Sequence, residues 1–156
     1  MKGSLTILKG DATAPQGKGN KIIVHICNDI GGWGRGFVLA ISKRWPEPEK
    51  AYRKWYRDKI NFKLGEVQFV SVSEYITVAN MIGQRGIKTG SLGVPIRYEA
   101  VDEGLAKVAG KAIETGASVH MPRIGCGLAG GKWEEIETII IENLINQGID
   151  VFVYDY

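Results

Sequence analysis

The 156-residue sequence predicts a three-layer α/β/α sandwich, with helices on both faces of a mixed, mostly parallel sheet. Short apolar runs of strand length alternate along the chain with segments of helical periodicity. In addition, two glycine-rich segments each sit where a strand hands over to a helix.

Taken in order, Leu5–Leu8 reads as a first strand closed by Gly10-Asp11. A loop rich in Gly, Pro and Asn (15–20) leads to the buried strand Ile22–Ile26. After glycines 31, 32, 34 and 36, the run Phe37–Ile41 reads as helix. Trp45-Pro46-Glu47-Pro48 interrupts it, and a second helix is expected over Glu49–Lys59. Glu66–Val72 and Tyr75–Ala79 read as two strands joined by a tight turn, and 83–93 as loop. From Tyr98, the apolar residues Val101, Leu105, Val108 and Ala112 recur at three and four, which predicts an amphipathic helix. Ser118–Met121 is a strand and Gly125–Gly131 the second glycine loop. Trp133–Asn146 is a helix with Ile136, Ile139, Ile140 and Leu144 on one face, and Val151–Tyr154 a last strand.

Residues 1–156 are expected to form one domain, without repeat or linker. A hydrophobic content of 44% and a charged content of 24% are ordinary for a globular protein. No apolar run approaches the ~20 residues of a membrane span, so no membrane partner is expected. Met1-Lys2-Gly3-Ser4 runs straight into strand pattern, so no signal peptide is expected. Two cysteines, Cys27 and Cys126, are too few for a disulfide framework and fit a reducing, cytoplasmic setting. The net charge of +3 tolerates an anionic ligand without arguing for nucleic acid.

In open α/β sheets, ligands bind outside the carboxyl ends of strands, where helix N-termini offer unpaired N–H groups. Two glycine loops in equivalent positions suit a diphosphate held by bare main-chain amides from both flanks. Gly32-x-Gly34-x-Gly36 lacks the spacing of a dinucleotide fingerprint, and the segment 83–89 lacks the order of a Walker loop.

Lys9-Gly10-Asp11, His25-x-Cys27-Asn28 with Gly32-Trp33-Gly34-x-Gly36, and Met121-Pro122-Arg123-Ile124-Gly125-Cys126-Gly127-Leu128 with Lys132-Trp133-Glu134 together resemble the macro domain family. The resemblance is closest to the branch holding the terminal ADP-ribose protein glycohydrolase and the yeast-type ADP-ribose-1″-phosphate phosphatase. It implies a module that binds ADP-ribose or a derivative in a cleft at strand ends, without a cofactor. By position, Asp11, with Ala12 beside it, would accept from the adenine amino group. Asn28 would bind hydroxyls of the distal ribose. Gly32, Trp33, Gly34, Arg35, Gly36 and Phe37, with Arg123, Ile124, Gly125, Cys126, Gly127 and Leu128, would wrap the diphosphate and distal ribose. Tyr154 or Tyr156 would pack near the adenine. The residues alone also allow Asp11 as a loop cap and Asn28 as a turn former. Trp33 is either a lid over the ligand or a packing residue. Cys126 reads as a small thiol filling a tight loop rather than a nucleophile.

The glycohydrolase's catalytic positions fall here on Ala129 and near Met81-Ile82-Gly83, which supply neither aspartate nor lysine, and Lys88 lies further on. The phosphatase branch points instead to His25, with Asn28, as the catalytic candidates. An imidazole can serve as general base or acid near neutral pH, and the competing reading is a hydrogen-bonded core histidine. Asp29 assists or caps the loop. The expectation thus has two arms, hydrolysis of ADP-ribose-1″-phosphate or a related ADP-ribosyl bond, and binding without chemistry. No metal is expected, although His25-x-Cys27 and His120-x5-Cys126 together offer four soft ligands. A rival reading is nucleic-acid binding through the basic and aromatic segment 43–63. Tyr52, Trp55, Tyr56 and Lys59 fall at helical spacing, so the aromatics are expected to pack the helix and the charges to form its solvated face.

Overall fold

The computed structural model describes residues 1–87, 93–127 and 129–156. Part of the expected 83–93 loop, including Lys88, and Leu128 of the second glycine loop lie outside the described residues.

Six strands form one sheet in the order β1-β6-β5-β2-β4-β3. They are β1 (Leu5–Lys9), β2 (Lys21–Asn28), β3 (Val67–Ser71), β4 (Ile76–Gln84), β5 (Ser118–Pro122) and β6 (Val151–Asp155). Only the β3–β4 pairing is antiparallel, the other four being parallel. The helices are α1 (Phe37–Arg44), α2 (Glu47–Asp58), α3 (Tyr98–Thr115) and α4 (Trp133–Asn143), the last followed by a 3₁₀ turn over Ile145–Gln147. This is the α/β sandwich predicted from sequence.

The alternation of side chains along β2 divides the core in two. Ile22 and Val24 face α3 and α4, where they meet Val101, Leu105, Val108, Ile136 and Ile140. Ile23 and Cys27 face α1 and α2, where they meet Val38, Ile41 and Tyr52. Because β2 is covered on both sides, its pattern is a continuous apolar run and not an alternation. Pro46 precedes α2 and Pro48 lies in its first turn, where a missing N–H breaks no helical bond, so the helix starts before the expected Glu49.

The largest departure from expectation is β4, which continues past Ala79 to Gln84. Asn80 interrupts the apolar run there, yet it is fully buried. Its amide donates to the Pro48 carbonyl at 3.1 Å and to Gln68 Oε1 at 3.0 Å, and its Oδ1 lies 2.5 Å from His25 Nε2. The extra length carries β4 level with the end of β2, so both strands end beside the β2–α1 loop.

Candidate functional site

The carboxyl ends of β2 and β4, the β2–α1 loop and the β5–α4 loop enclose a cavity of about 740 Å³. Its wall includes Asn28, Gly32, Trp33, Gly34, Arg35, Gly36 and Phe37 from one side and Gly127 and Ala129 from the other. Sequence reasoning did not single out Ile26, Val38, Gln84 and Ile87, which also line it, and considered Cys27 only within its motif and as a metal ligand. Their place at the carboxyl end of a strand could have indicated Ile26 and Cys27. Gln84 and Ile87 lay in a stretch read as loop.

Asn28 shapes the first loop. Its Oδ1 accepts from the N–H of Ile30 at 3.0 Å, the N–H of Gly32 at 2.9 Å and the Tyr52 hydroxyl at 2.9 Å. Its Nδ2 donates to the Gly32 carbonyl at 3.0 Å, which leaves one amide hydrogen for the cavity. Gly31 has φ +78°, and a Cβ there would meet the Tyr56 ring at 2.4 Å, so only glycine allows the loop to lie against α2. The Asp29 carboxylate accepts from the Gly86 N–H at 2.8 Å and ties the segment after β4 to this loop. Asp29 is therefore a loop clasp in this structure.

Helix α1 begins at the cavity wall with Gly36 as its N-cap, without a capping side chain or an acidic residue in its first turn. Its N-terminal end, with Phe37 and Val38 in the wall, presents partial positive charge there. Trp33 is no exposed lid. It is 4% exposed, its Nε1–H donates to Ser42 Oγ at 2.8 Å, and its ring lies 5.4 Å from that of Tyr52.

The second loop is held by its own main chain. Gly131 N–H donates to the Gly125 carbonyl at 2.6 Å, Gly130 N–H to Gly127 at 3.1 Å, and Ile96 N–H to Ala129 at 3.0 Å. Gly125, at φ +74°, leaves room for Ile96, whose Cδ1 would be 2.6 Å from an added Cβ. Ile124 is core, and Cys126 Sγ–H donates to the Ile124 carbonyl at 3.4 Å. Burial raises the Cys126 thiol pKa, the Arg123 guanidinium opposing, so the group stays protonated. Arg123 reaches the other way. It binds Asp155 through Nε at 2.6 Å and Nη2 at 2.9 Å, and stacks 4.7 Å from the Trp133 ring centre.

Two glycines of the cavity wall stand apart. A Cβ at Gly34 or at Gly127 would meet no atom of the described residues within 4 Å, and neither residue has positive φ. Neither packing nor backbone conformation requires glycine there, yet both line the cavity.

His25 lies behind the wall and not in it. It is 1% exposed, 5.3 Å from the Trp33 ring and 6.1 Å from the Phe37 ring. Since both Asn80 amide hydrogens are engaged elsewhere, Asn80 Oδ1 is the acceptor and His25 Nε2 carries the proton. Nδ1 is then a bare acceptor, the one buried side-chain N or O atom without a partner among the described residues. Burial pulls the His25 pKa down to about 4, only partly offset by Asn80, so the ring is neutral at pH 7. His25 Nε2 and Cys27 Sγ lie 3.8 Å apart, but no group of three or more metal-binding side chains forms among the described residues. Burial also pushes the Cys27 thiol far up.

Asp11, Ala12 and Tyr154 do not line the cavity. Asp11 and Ala12 follow β1 and Tyr154 lies in the neighbouring β6; there Asp11 Oδ1 accepts from the Thr13 N–H at 2.8 Å and hydroxyl at 2.7 Å. Partial burial works to raise the Asp11 pKa, but Thr13 and the Arg44 guanidinium hold it below the usual carboxylate value. Arg44, at the end of α1, also donates to Thr13 Oγ1 at 2.8 Å, so α1 runs from the cavity to this corner. The Tyr154 hydroxyl accepts from Gln16 N–H at 2.9 Å and lies 2.8 Å from His120 Nδ1. Tyr156 is fully exposed at the chain end.

No family model matches the chain. It is 61% identical to a Bacteroides thetaiotaomicron protein of unknown function, over 99% of both chains, with a TM-score of 0.97. With a macrodomain protein from Streptomyces coelicolor it shares 55% identity over 98% of this chain and 99% of that one, with a TM-score of 0.89. A chromodomain-helicase-DNA-binding protein 1-like of Danio rerio is 36% identical over 94% of the chain, which spans 15% of that protein's length. An ADP-ribose 1″-phosphate phosphatase of Lodderomyces elongisporus is 25% identical, over 95% of this chain and 97% of that one. The α/β/α sandwich is thus shared, almost end to end, with a protein that carries the family's name. The chain belongs to the macrodomain family.

Proposed function

We propose that this chain binds ADP-ribose in the 740 Å³ cavity, with the diphosphate against the amides of Gly34–Val38 and the bare main chain at Gly127. The observation that carries the reading is the pair of glycines facing open space within the wall, where the protein itself needs none. A ligand that must touch the main chain accounts for both. Arg35, exposed in the same wall, adds donors for phosphate oxygens. Asp11, kept ionised at the far end of α1, suits the adenine amino group.

Binding without chemistry is the better-supported arm. Among the described wall residues, only Cys27 and Arg35 have ionisable side chains, and neither is a base at neutral pH. Calorimetry with ADP-ribose is the test: saturable heat is expected, and none at millimolar ligand rejects the proposal. Hydrolysis of ADP-ribose 1″-phosphate is the second reading, favoured by the phosphatase-named relative that aligns over almost its whole length. It requires the bare Nδ1 of His25 to reach water at the substrate. Phosphate release that is equal in wild type and His25→Ala removes His25 from any such mechanism.

A further inference from the structure

We propose that the outer face of α1 and α2 docks on the phosphate backbone of duplex nucleic acid and recognises charge without base sequence. Residues 43–63 hold eight Lys and Arg against three Asp and Glu, a net +5, while the whole chain carries only +3. The remainder is therefore net −2, and the protein's positive charge is concentrated on one segment. Such segregation produces a directional field that a dispersed +3 would not.

The structure arranges four of these charges on one side of α2. Lys50, Arg53, Lys54 and Arg57 follow an i, i+3, i+4, i+7 pattern on α2 and are all exposed, while Pro48 and Tyr52 of the opposite face are buried. From Lys50 to Arg57 the stripe is about 10 Å long, the span of roughly three phosphates along one strand. Lys43 and Arg44 at the end of α1, with Lys59 and Lys63 beyond α2, are likewise exposed. Arg53 is paired with Glu49 at 2.9 Å and Lys54 with Asp58 at 2.5 Å. Lys43, Lys50, Arg57 and Lys63 have no carboxylate within ion-pair distance among the described residues, so their charge is uncompensated.

The aromatics on the segment narrow the choice of occupant. Tyr52 is fully buried, Tyr56 lies against Gly31, and Trp55 donates its Nε1–H to the Ile60 carbonyl at 2.8 Å. Trp55 and Tyr56 also pack edge-on against Phe62 at 5.0 and 5.2 Å. With these rings engaged in packing, the face lacks the stacking platform on which single strands depend. The apolar side of α2 is likewise spent on the core, so the helix has none to insert into a lipid surface. What is left is an exposed cationic stripe, which suits the regular charge of a duplex backbone.

The test is fluorescence anisotropy of a labelled DNA duplex titrated with the full chain between about 50 and 200 mM salt. With about four phosphate contacts, the affinity should fall roughly 100-fold over that range. A Lys50→Glu/Arg57→Glu variant should bind at least about 10-fold more weakly and show a shallower salt slope, with its urea midpoint and ADP-ribose calorimetry unchanged. If the charge reversal shifts the urea midpoint, Lys50→Gln/Arg57→Gln takes its place, with a shallower slope again expected. Equal duplex affinity in wild type and the folded variant overturns the proposal. So does preference for a single strand of the same length, or co-sedimentation with phosphatidylserine vesicles without duplex binding.

Discussion

The cavity is built by two strand–loop–helix units that match position by position, β2 into α1 and β5 into α4. Each strand carries one fully buried histidine, His25 or His120, and each has a polar residue three positions later, Asn28 or Arg123. The resemblance ends with what those residues do. Asn28 folds back and holds its loop with four hydrogen bonds of its own side chain. Arg123 turns away to Asp155 and Trp133, and its loop is held by main-chain bonds and glycines. The histidines differ in the same sense. Both ring nitrogens of His120 are occupied, by Ser118 Oγ and the Tyr154 hydroxyl at 2.8 Å each, whereas His25 keeps Nδ1 bare. The first unit is thus specified by side chains and leaves polar atoms uncommitted, while the second is specified by backbone.

Acid gives the largest expected effect and tests what the two histidines share. Both have folded pKa values pulled down to about 4, His25 by burial and His120 by burial and then the Lys21 ammonium. The unfolded chain binds these protons near pH 6.5, so the contribution is complete above that pH and is lost as pH falls towards 4. Each histidine accounts for roughly 3 kcal/mol across this window. Urea unfolding at several pH values should show stability falling below pH 6.5 and no histidine contribution to the slope above about 7. His120→Gln should remove about one proton from the slope, and an unchanged slope would show that His120 titrates normally.

Next in size is Gly131→Ala, aimed at the backbone-held loop. A Cβ at Gly131 would lie 2.5 Å from the Gly125 carbonyl oxygen, which cannot move without breaking the loop's shortest hydrogen bond. A loss of about 3 kcal/mol is expected in urea unfolding. A cost under about 0.5 kcal/mol would mean that the β5–α4 loop adapts, and the contrast between the units would fail.

The strand–glycine–helix handovers were legible in the sequence because apolar runs and glycines are local signals. The last five residues of β4 were not. Asn80 breaks the apolar pattern, and its justification comes from His25, Pro48 and Gln68, residues 12 to 55 positions away that no local window contains. Gln84, at the end of that strand, was lost to the site for the same reason. Trp33 could be read either way until its Nε1 partner, Ser42, was known. At Arg123 the motif suggested a ligand contact, while the fold ties the side chain to Asp155, 32 positions on.

Exchanging the two n+3 residues for alanine sharpens the comparison directly. Asn28→Ala leaves the Ile30 and Gly32 amides without their acceptor, which should cost about 2 kcal/mol of stability and weaken ADP-ribose binding at least about 10-fold. Arg123→Ala removes a half-exposed ion pair and one aromatic contact, worth about 1 kcal/mol or less, and should leave affinity unchanged. Similar losses of affinity in both variants would mean that Arg123 reaches the ligand after all.

The smallest expected change in stability comes from the two glycines of the cavity wall that the fold does not require. Gly34→Val and Gly127→Val place a side chain where no atom of the described residues lies within 4 Å of the new Cβ, and neither position has the positive φ that penalises one. Unfolding free energies should therefore stay within about 0.5 kcal/mol of wild type. If ADP-ribose passes over both loops, each valine holds it off the main chain, and affinity should drop at least 10-fold, about 1.4 kcal/mol. Here the two units, so different in how they are held, are expected to behave alike. Loss of binding in one variant alone would assign the diphosphate to a single loop, and wild-type affinity in both would mean that the open glycines face nothing that binds.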